Sequence, residues 1–358
     1  MANVKSSNEN ELASTRAPGE STAPVVTIVM CTYQGSRHVA AQLRSLLAQT
    51  YPVKILVVDD ASTDDTVMRV QSLLRDTVDR IDANSHNLGY VRNFEQAVQT
   101  AVNTGASFIA LSDQDDIWDP ERVERGMQLM HQLECQHGAD APLLVHSDLR
   151  LIDSNDKLLH DSFFEHRRYR ITSAKNLRLV LGENGVMGNS VLMNQSLAKL
   201  TLPYPNGVHV HDYWIALVAE LYGHRALLRQ PQLSYRLHAD NASNTAGSMV
   251  SGWRATRSRL DKTTLLHRDF KLPFKEDSRL QVLQYLLSPA NRLPALSREQ
   301  TRELQDFSQY LLFKQSRMTS LSYLLRSGVT RGGLLHKARL CMATLLTKRY
   351  ASMLPPET

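Results

Sequence analysis

The chain has 358 residues, a formal net charge of +5, 42% hydrophobic and 22% charged residues, which suits one large core or a catalytic domain with a smaller extension. No run approaches the ~18 apolar residues of a membrane span, and no apolar signal core opens the chain, so a cytoplasmic protein is expected. Cys31, Cys135 and Cys341 lie far apart without a CxxC pair, which argues for reduced thiols and against a thiolate metal site.

Residues 1–23, rich in Ser, Asn, Glu and Ala, are expected to be disordered. Order begins at the β-branched run Val25–Met30, read as a strand. Val39, Leu43, Leu46 and Leu47 recur at helical spacing within Ser36–Gln49, and Pro52 ends that helix. Lys54–Val58 is the next strand, closed by Asp59-Asp60, after which Ser62 or Thr63 caps a helix carrying Asp64 and Asp65 in its first turn. A short strand at Arg80–Ala83, a helix over Val91–Val102 and a strand at 107–111 follow. Such alternation predicts a mostly parallel sheet with helices on both faces.

Beyond residue 120 the pattern predicts strands at Leu143–Ile152, Val186–Met193 and Leu227–Leu237, and an amphipathic helix at Asp212–Tyr222. From about residue 254 the chain reads as helical, interrupted by Pro273, Pro289 and Pro294. Residues 251–358 hold 19 Lys/Arg against 8 Asp/Glu, net +11, whereas residues 1–250 hold 22 against 28, net −6. A basic tail suits either a polyanionic partner or a solvated face. At Leu334–Leu346, Leu334, Ala338, Cys341 and Leu345 share one helical face with Lys337 and Arg339 off it, the arrangement of a helix lying on an anionic membrane. The tail aromatics Tyr310, Phe313 and Tyr323 sit among leucines and read as core, so nucleic acid is not an expected partner.

Most of the chemistry gathers at Ser112-Asp113-Gln114-Asp115-Asp116-Ile117-Trp118, directly after the apolar run Phe108–Leu111. Three carboxylates thus meet at a strand end, the edge where open α/β sheets bind ligands. They repel one another unless neutralised, and oxygen ligands suit Mg²⁺ or Mn²⁺, which could hold a diphosphate. The first strand leads into Cys31-Thr32-Tyr33-Gln34-Gly35, which is neither GxGxxG nor a P-loop. The missing glycine cradle speaks against a nucleotidyltransferase and a dinucleotide-binding dehydrogenase. Tyr33 could stack on a base or simply pack. Asp60 could accept a base N–H or a ribose hydroxyl, or belong to a cap box Asp59-Asp60-Ala61-Ser62.

Together these segments resemble the family 2 glycosyltransferases, inverting enzymes of the GT-A fold. The likeness runs through Val26–Tyr33, Gln42–Thr50, Val57–Asp64, Asn87–Phe94 and the Asp113-Gln114-Asp115 motif, which matches the family's DxD. Bacterial rhamnosyltransferase-type members are most similar, through His211-Asp212-Tyr213-Trp214 and Tyr235-Arg236-Leu237-His238, so the likeness covers roughly residues 25–245. It divides the chain into residues 24–120 as a nucleotide-sugar half, 121–250 as an acceptor half and 251–358 as a basic helical region. It implies that Thr32 and Tyr33 line the base pocket, that Asp60 takes the base N–H, and that Asn87, Gly89 and Asn93 belong to a loop near the nucleotide. Asp113 would sit near the ribose and Asp115 would bind Mg²⁺ or Mn²⁺, with His238 completing that site. Asp116 is left between a ligand and a turn cap.

An inverting transfer needs one carboxylate to take the acceptor hydroxyl's proton, and Asp212 is the candidate. Tyr213 and Trp214 beside it could limit its solvation or stack on a sugar; a helix cap is the alternative role for Asp212. Arg92 and Arg236 are candidate phosphate partners or ordinary surface arginines, and Gly182-Glu183-Asn184-Gly185 with Gly188-Asn189 suggests a tight loop near the acceptor or, equally, a plain turn. His209 and His211 form an HxH pair without further ligands at zinc-like spacing. The expectation is a metal-dependent inverting transferase moving a sugar from a nucleotide-sugar donor, dTDP-L-rhamnose first and a UDP-sugar next, to a saccharide or lipid-linked saccharide of a bacterial cell surface. The alternative is a catalytically inactive nucleotide-sugar-binding or membrane-docked assembly protein.

Overall fold

A computed structural model describes residues 24–74, 80–238 and 278–311, with positions 318, 319, 322, 323 and 325. The first half alternates as expected: β1 (Val26–Thr32), α1 (Val39–Leu47), β2 (Val53–Asp59), α2 (Thr66–Leu74), β3 (Arg80–Ala83), α3 (Tyr90–Asn103) and β4 (Phe108–Ser112). β1 pairs in parallel with both β2 and β4, and β2 with β3. Helical crossovers cover both faces, which is why β4 is buried at every position rather than at alternate ones.

The second half comprises β5 (Ile117–Trp118), α4 (Arg122–His137), β6 (Leu143–Ser147), β7 (Arg150–Ile152), β8 (Leu158–His160), α5 (Phe163–Arg167), α6 (Leu177–Glu183), β9 (Leu192–Asn194), α7 (Gln195–Thr201), α8 (His211–Tyr222), β10 (His224–Leu228) and β11 (Leu233–Arg236). α9 (Ser278–Leu287) and α10 (Arg298–Leu311) follow. The main sheet runs β10-β6-β9-β4-β1-β2-β3, with β9 antiparallel to both neighbours. A smaller sheet runs β5-β11-β7-β8. The mostly parallel α/β architecture expected from the sequence is therefore present.

Several boundaries differ, each for a local reason. The expected strand Leu143–Ile152 is two strands in different sheets, because the chain turns at Asp148, whose carboxylate accepts the N–H groups of Leu149 at 2.7 Å and Phe164 at 3.0 Å. Leu227–Leu237 is likewise β10 and β11, broken around Pro231, which has no N–H for a ladder. Of Val186–Met193 only the end pairs; Gly188–Ser190 forms a 3₁₀ turn, and the Gly188 N–H goes to the Asp212 side chain instead. α2 starts at Thr66, whose N–H is accepted by Asp64 at 3.0 Å, so neither Ser62 nor Thr63 is its cap.

α8 corrects the expected amphipathic pattern. Every residue from His211 to Leu221 is buried, because α3, α6, α7 and α9 surround the helix. A helix that is mainly apolar around its circumference, with its few polar side chains His211, Asp212 and Glu220 also buried, belongs in a core rather than on a surface. Val282, Leu283 and Leu286 of α9 and Leu304, Phe307 and Leu311 of α10 are buried too. Gln300 donates to the Leu221 carbonyl at 2.6 Å and Arg178 pairs with Glu303, so this described part of the basic region is a cap packed on α6 and α8. The segments 1–23 and 334–346 lie outside the described residues. No helix among the described residues is long and apolar enough to cross a membrane.

Candidate active site

The register places the site. Thr32 lies opposite Asp59 and Met30 opposite Ser112, so Tyr33, Asp60 and Asp113 leave the carboxyl ends of three adjacent strands. β1 is also where the chain crosses from β2 and β3 on one side to β4 on the other, a switch point of the kind that binds ligands.

Asp59 organises the first loop: its carboxylate accepts the Thr32 hydroxyl at 2.7 Å and both the N–H and hydroxyl of Ser62 at 2.7 Å. The cap-box reading therefore belongs to Asp59, and Asp60 is directed elsewhere. Asp60 accepts the Asn84 amide at 2.9 Å and the N–H groups of Leu88 at 2.8 Å and Gly89 at 2.9 Å. Asn87 also accepts the Gly89 N–H, at 3.0 Å, and Gly89 has φ +80°, a conformation that favours glycine. Asn93, buried, donates to the Val58 carbonyl at 3.0 Å and accepts from Asn84 at 3.0 Å. Loop 84–89 is thus fixed to β2 through Asp60 and Asn93. Tyr33 stands out with its side chain 46% exposed.

Within the acidic motif each residue has a separate task. Gln114 clamps Tyr33, accepting its N–H at 2.8 Å and donating to its carbonyl at 2.9 Å. A Cβ on Gly35 would meet the Gln114 amide at 2.1 Å, so a side chain there would displace this clamp. Asp116, fully buried, accepts from the Asn189 amide at 2.5 Å and the Arg236 N–H at 3.2 Å; it ties β5 to β11 rather than capping a turn. Asp115 shares a 2.6 Å contact between its Oδ2 and His238 Nε2, and its carbonyl accepts Arg236 Nε at 2.7 Å. Burial and the neighbouring Asp115 and Asp212 push the Asp113 carboxyl up to about 7, against the opposing pull of Arg122. Arg122 is itself buried, 3.2 Å over the Trp118 ring.

This excess of negative charge fits a cation. Asp115 and His238 offer a carboxylate and an imidazole; among the described residues no set of three or more His, Cys, Asp or Glu gathers as a metal cage. Mg²⁺ and its like need no such cage, being held by one or two carboxylates plus substrate phosphates and water. The residues present therefore suit Mg²⁺ or Mn²⁺ arriving with a diphosphate.

Asp212, in the first turn of α8, lies close enough to Asp113 for its charge to act on that carboxyl. Its Oδ1 accepts the Asn184 amide at 2.8 Å and its Oδ2 the Gly188 N–H at 3.0 Å. Burial pushes its carboxyl up to about 6, although those donors and the Tyr213 N–H favour the charged form. Tyr90 senses both Asp212 and Asp113, and its hydroxyl donates to the His209 carbonyl, joining α3 to the entry of α8.

Other candidates are engaged by partners within the protein. Trp214 is fully buried and donates to the Thr201 carbonyl at 2.9 Å; Tyr213 donates to the Leu181 carbonyl at 3.1 Å. Neither can stack on a sugar. Arg92 pairs with Glu95 and bonds the Tyr204 carbonyl, while buried Arg236 bonds Asp115, Asp153 and Asp156, so both already serve internal partners. His209 is exposed and His211 is buried against Phe94 at 4.2 Å, so the HxH residues do not act as a pair. Gln114, Tyr90 and Asn184 escaped the sequence reading; only the Asn184-Gly185 turn signal pointed to one of them.

A mostly parallel sheet with acidic residues at its switch point and a buried carboxylate near them is the arrangement of the GT-A fold. Residues 27–190 match the family described as Glycosyl transferase family 2. An uncharacterized glycosyltransferase of Haemophilus influenzae is 22% identical over 233 residues, 62% of this chain and 68% of that protein. The Escherichia coli protein named UDP-Glc:alpha-D-GlcNAc-diphosphoundecaprenol beta-1,3-glucosyltransferase WfgD is 32% identical over 108 residues, 30% of this chain and 41% of that one. Among solved structures, S. aureus TarS 1–349 in complex with UDP-GlcNAc superposes with a TM-score of 0.51 at 12% identity, covering 89% of this chain and 79% of that one. At that identity the likeness concerns the fold.

Proposed function

We propose that the chain transfers a sugar, with inversion, from a pyrimidine nucleoside-diphosphate sugar to a hydroxyl of a saccharide or lipid-linked saccharide in bacterial cell-surface polysaccharide synthesis. The observation that carries this reading is the cradled, buried Asp212 facing the Asp113–Asp115 edge of the sheet. Thr32, Tyr33, Asp60 and the Asn87–Asn93 segment would surround the nucleoside, Tyr33 offering a ring face and Asp60 an acceptor for the imide N–H of uracil or thymine. Asp113 would lie beside the ribose. Asp115 and His238 would hold Mg²⁺ or Mn²⁺, which supplies counter-charge to the diphosphate when bound. Asp212 takes the proton of the acceptor hydroxyl as its oxygen attacks the anomeric carbon and the diphosphate departs from the opposite face.

The relative named for a diphosphoundecaprenol substrate supports a lipid-linked acceptor, and dTDP-L-rhamnose and UDP-hexoses are the donors of choice. The test is thermal stabilisation by UDP-glucose, UDP-GlcNAc, dTDP-L-rhamnose and GDP-mannose, with and without Mn²⁺. A ligand at a hundredfold excess over its Kd stabilises the folded state by about 2.7 kcal/mol. The uridine or thymidine donors should raise Tm in the presence of Mn²⁺ and then be hydrolysed slowly. A shift with none of the four removes the reading; a shift without any turnover points to a binding protein.

The charge of residues 251–358, net +11, supports a second part of the proposal, peripheral docking on an anionic cytoplasmic membrane face. Each basic residue near such a surface contributes on the order of 1 kcal/mol, screened by salt. Co-sedimentation with anionic vesicles should be high at low salt and fall steeply at high salt. Equal recovery with neutral vesicles would count against docking.

A further inference from the structure

Asn184 follows α6 with φ +60° and ψ −79°, and Gly185 follows it at φ +70°. Residues with side chains rarely hold such a backbone and do so where the surroundings demand it, often at functional sites. Here the demand comes from the amide: Nδ2 donates to the Val186 carbonyl at 3.0 Å and to Asp212 Oδ1 at 2.8 Å. Both partners are acceptors, which settles the amide's orientation, and its Oδ1 has no partner among the described residues. The Gly188 N–H takes the other Asp212 oxygen at 3.0 Å. A Cβ on Gly188 would come within 2.6 Å of His211 Nε2, so this approach requires glycine.

We propose that Asn184 is a positioning residue for the transfer, its amide fixing the Asp212 carboxylate so that the remaining lone pairs face the acceptor hydroxyl. This rests on the reading of Asp212 as the base. A helix or turn could be closed by the Val186 bond alone; the bond to Asp212 reaches across 28 residues of sequence to another helix. The titratable groups around Asp212 are Asp113 from the end of β4, Tyr90 from α3, Tyr204 from the loop after α7, and His211 on α8 itself. Asp113 raises the cost of a second negative charge, and His211 is held neutral because burial pushes it down to about 3. The Asn184 amide and the Gly188 and Tyr213 N–H groups are what favour the charged form of Asp212.

The experiment compares the full chain with Asn184→Gly, which suits the left-handed backbone but lacks the amide, and Asn184→Asp, which keeps the shape but replaces the donor with a carboxylate. Carboxyl-¹³C NMR of aspartate-labelled protein follows Asp212, its signal assigned by its loss in Asp212→Asn. Losing a hydrogen bond to the charged form moves a midpoint up, here on the order of one pH unit in both variants. The acid limb of the kcat profile, read as hydrolysis of whichever of the four panel donors stabilises the chain most, should move with it, while donor KM stays within about twofold. A role confined to closing the loop would change Tm and leave both midpoints in place. Unmoved midpoints in a folded variant would overturn the proposal; Asn184→Asp carries the test if Asn184→Gly folds poorly. Should Asp212→Asn itself turn over normally, the reading of the base fails; an inactive Asp212→Asn with unmoved Asn184 variants rejects the positioning role alone.

Discussion

Asp212→Asn is expected to lower turnover by ~10²–10⁴ while donor affinity stays within a few-fold of the original. The asparagine has the shape of the aspartate but cannot accept a proton, and Asp212 belongs to α8, apart from the strand ends that would hold the nucleotide. Donor titration and initial rates on the same preparation separate the two effects. Turnover within a few-fold of the parent would leave Asp212 as a helix-terminal structural residue.

The same carboxyl predicts a pH dependence. With its midpoint pushed up to about 6, Asp212 is protonated and inactive at lower pH, so kcat should rise as pH passes through that value. The stability effect has the opposite direction. The folded state holds this proton more tightly than the unfolded chain does, so the contribution is full below the unfolded value near 3.8 and is lost as pH rises through about 6. Asp212→Asn lacks that penalty, though its amide nitrogen must face one of the two donors that now hold Asp212. Chemical denaturation at pH 5 and pH 8 should therefore show a weaker decline with pH in the variant than in the parent.

What could be read from the sequence follows from how each feature is encoded. β1, β2 and β4 are short apolar runs ended by polar residues, and buried parallel strands carry that signal locally. The acidic motif was legible for the same reason, since its three carboxylates are adjacent in sequence. The hidden part depends on distant partners. Gln114 acts on Tyr33 across 81 residues, and Asn184 on Asp212 across 28. Nothing in the local pattern of Asp113-Gln114-Asp115 says that the middle side chain turns back to clamp the end of β1. The second half misled through its loops, because Ser147–Leu149 is buried like a strand and only four residues, Arg229 to Gln232, separate β10 from β11 where the chain passes from one sheet to the other. Arg92 and Arg236 read as phosphate partners because charge was visible while their internal partners were not.

Asp115→Asn is expected to abolish the metal-dependent part of donor binding with the fold intact. Asp115 is nearly buried and bonded to His238, while its backbone carbonyl receives the Arg236 guanidinium. The backbone contact survives the substitution, and an asparagine oxygen can still meet His238, so Tm should change little. Loss of the carboxylate removes a hard anionic ligand beside Asp113, whose own ionisation is already opposed by burial and by its neighbours. Even changes in groups that only support a metal ligand cost ~10–100-fold in metal affinity, and loss of the ligand itself should cost at least as much. Calorimetric titration with UDP-glucose or dTDP-L-rhamnose, whichever gives the larger thermal shift, should show tighter binding with Mn²⁺ in the parent and no Mn²⁺ effect in the variant. His238→Gln should weaken the Mn²⁺ effect without removing it, since the carboxylate remains. Equal donor affinity in the parent and Asp115→Asn, with and without Mn²⁺, would refute the metal role and leave the Asp115–His238 contact as a clasp between the end of the acidic motif and β11.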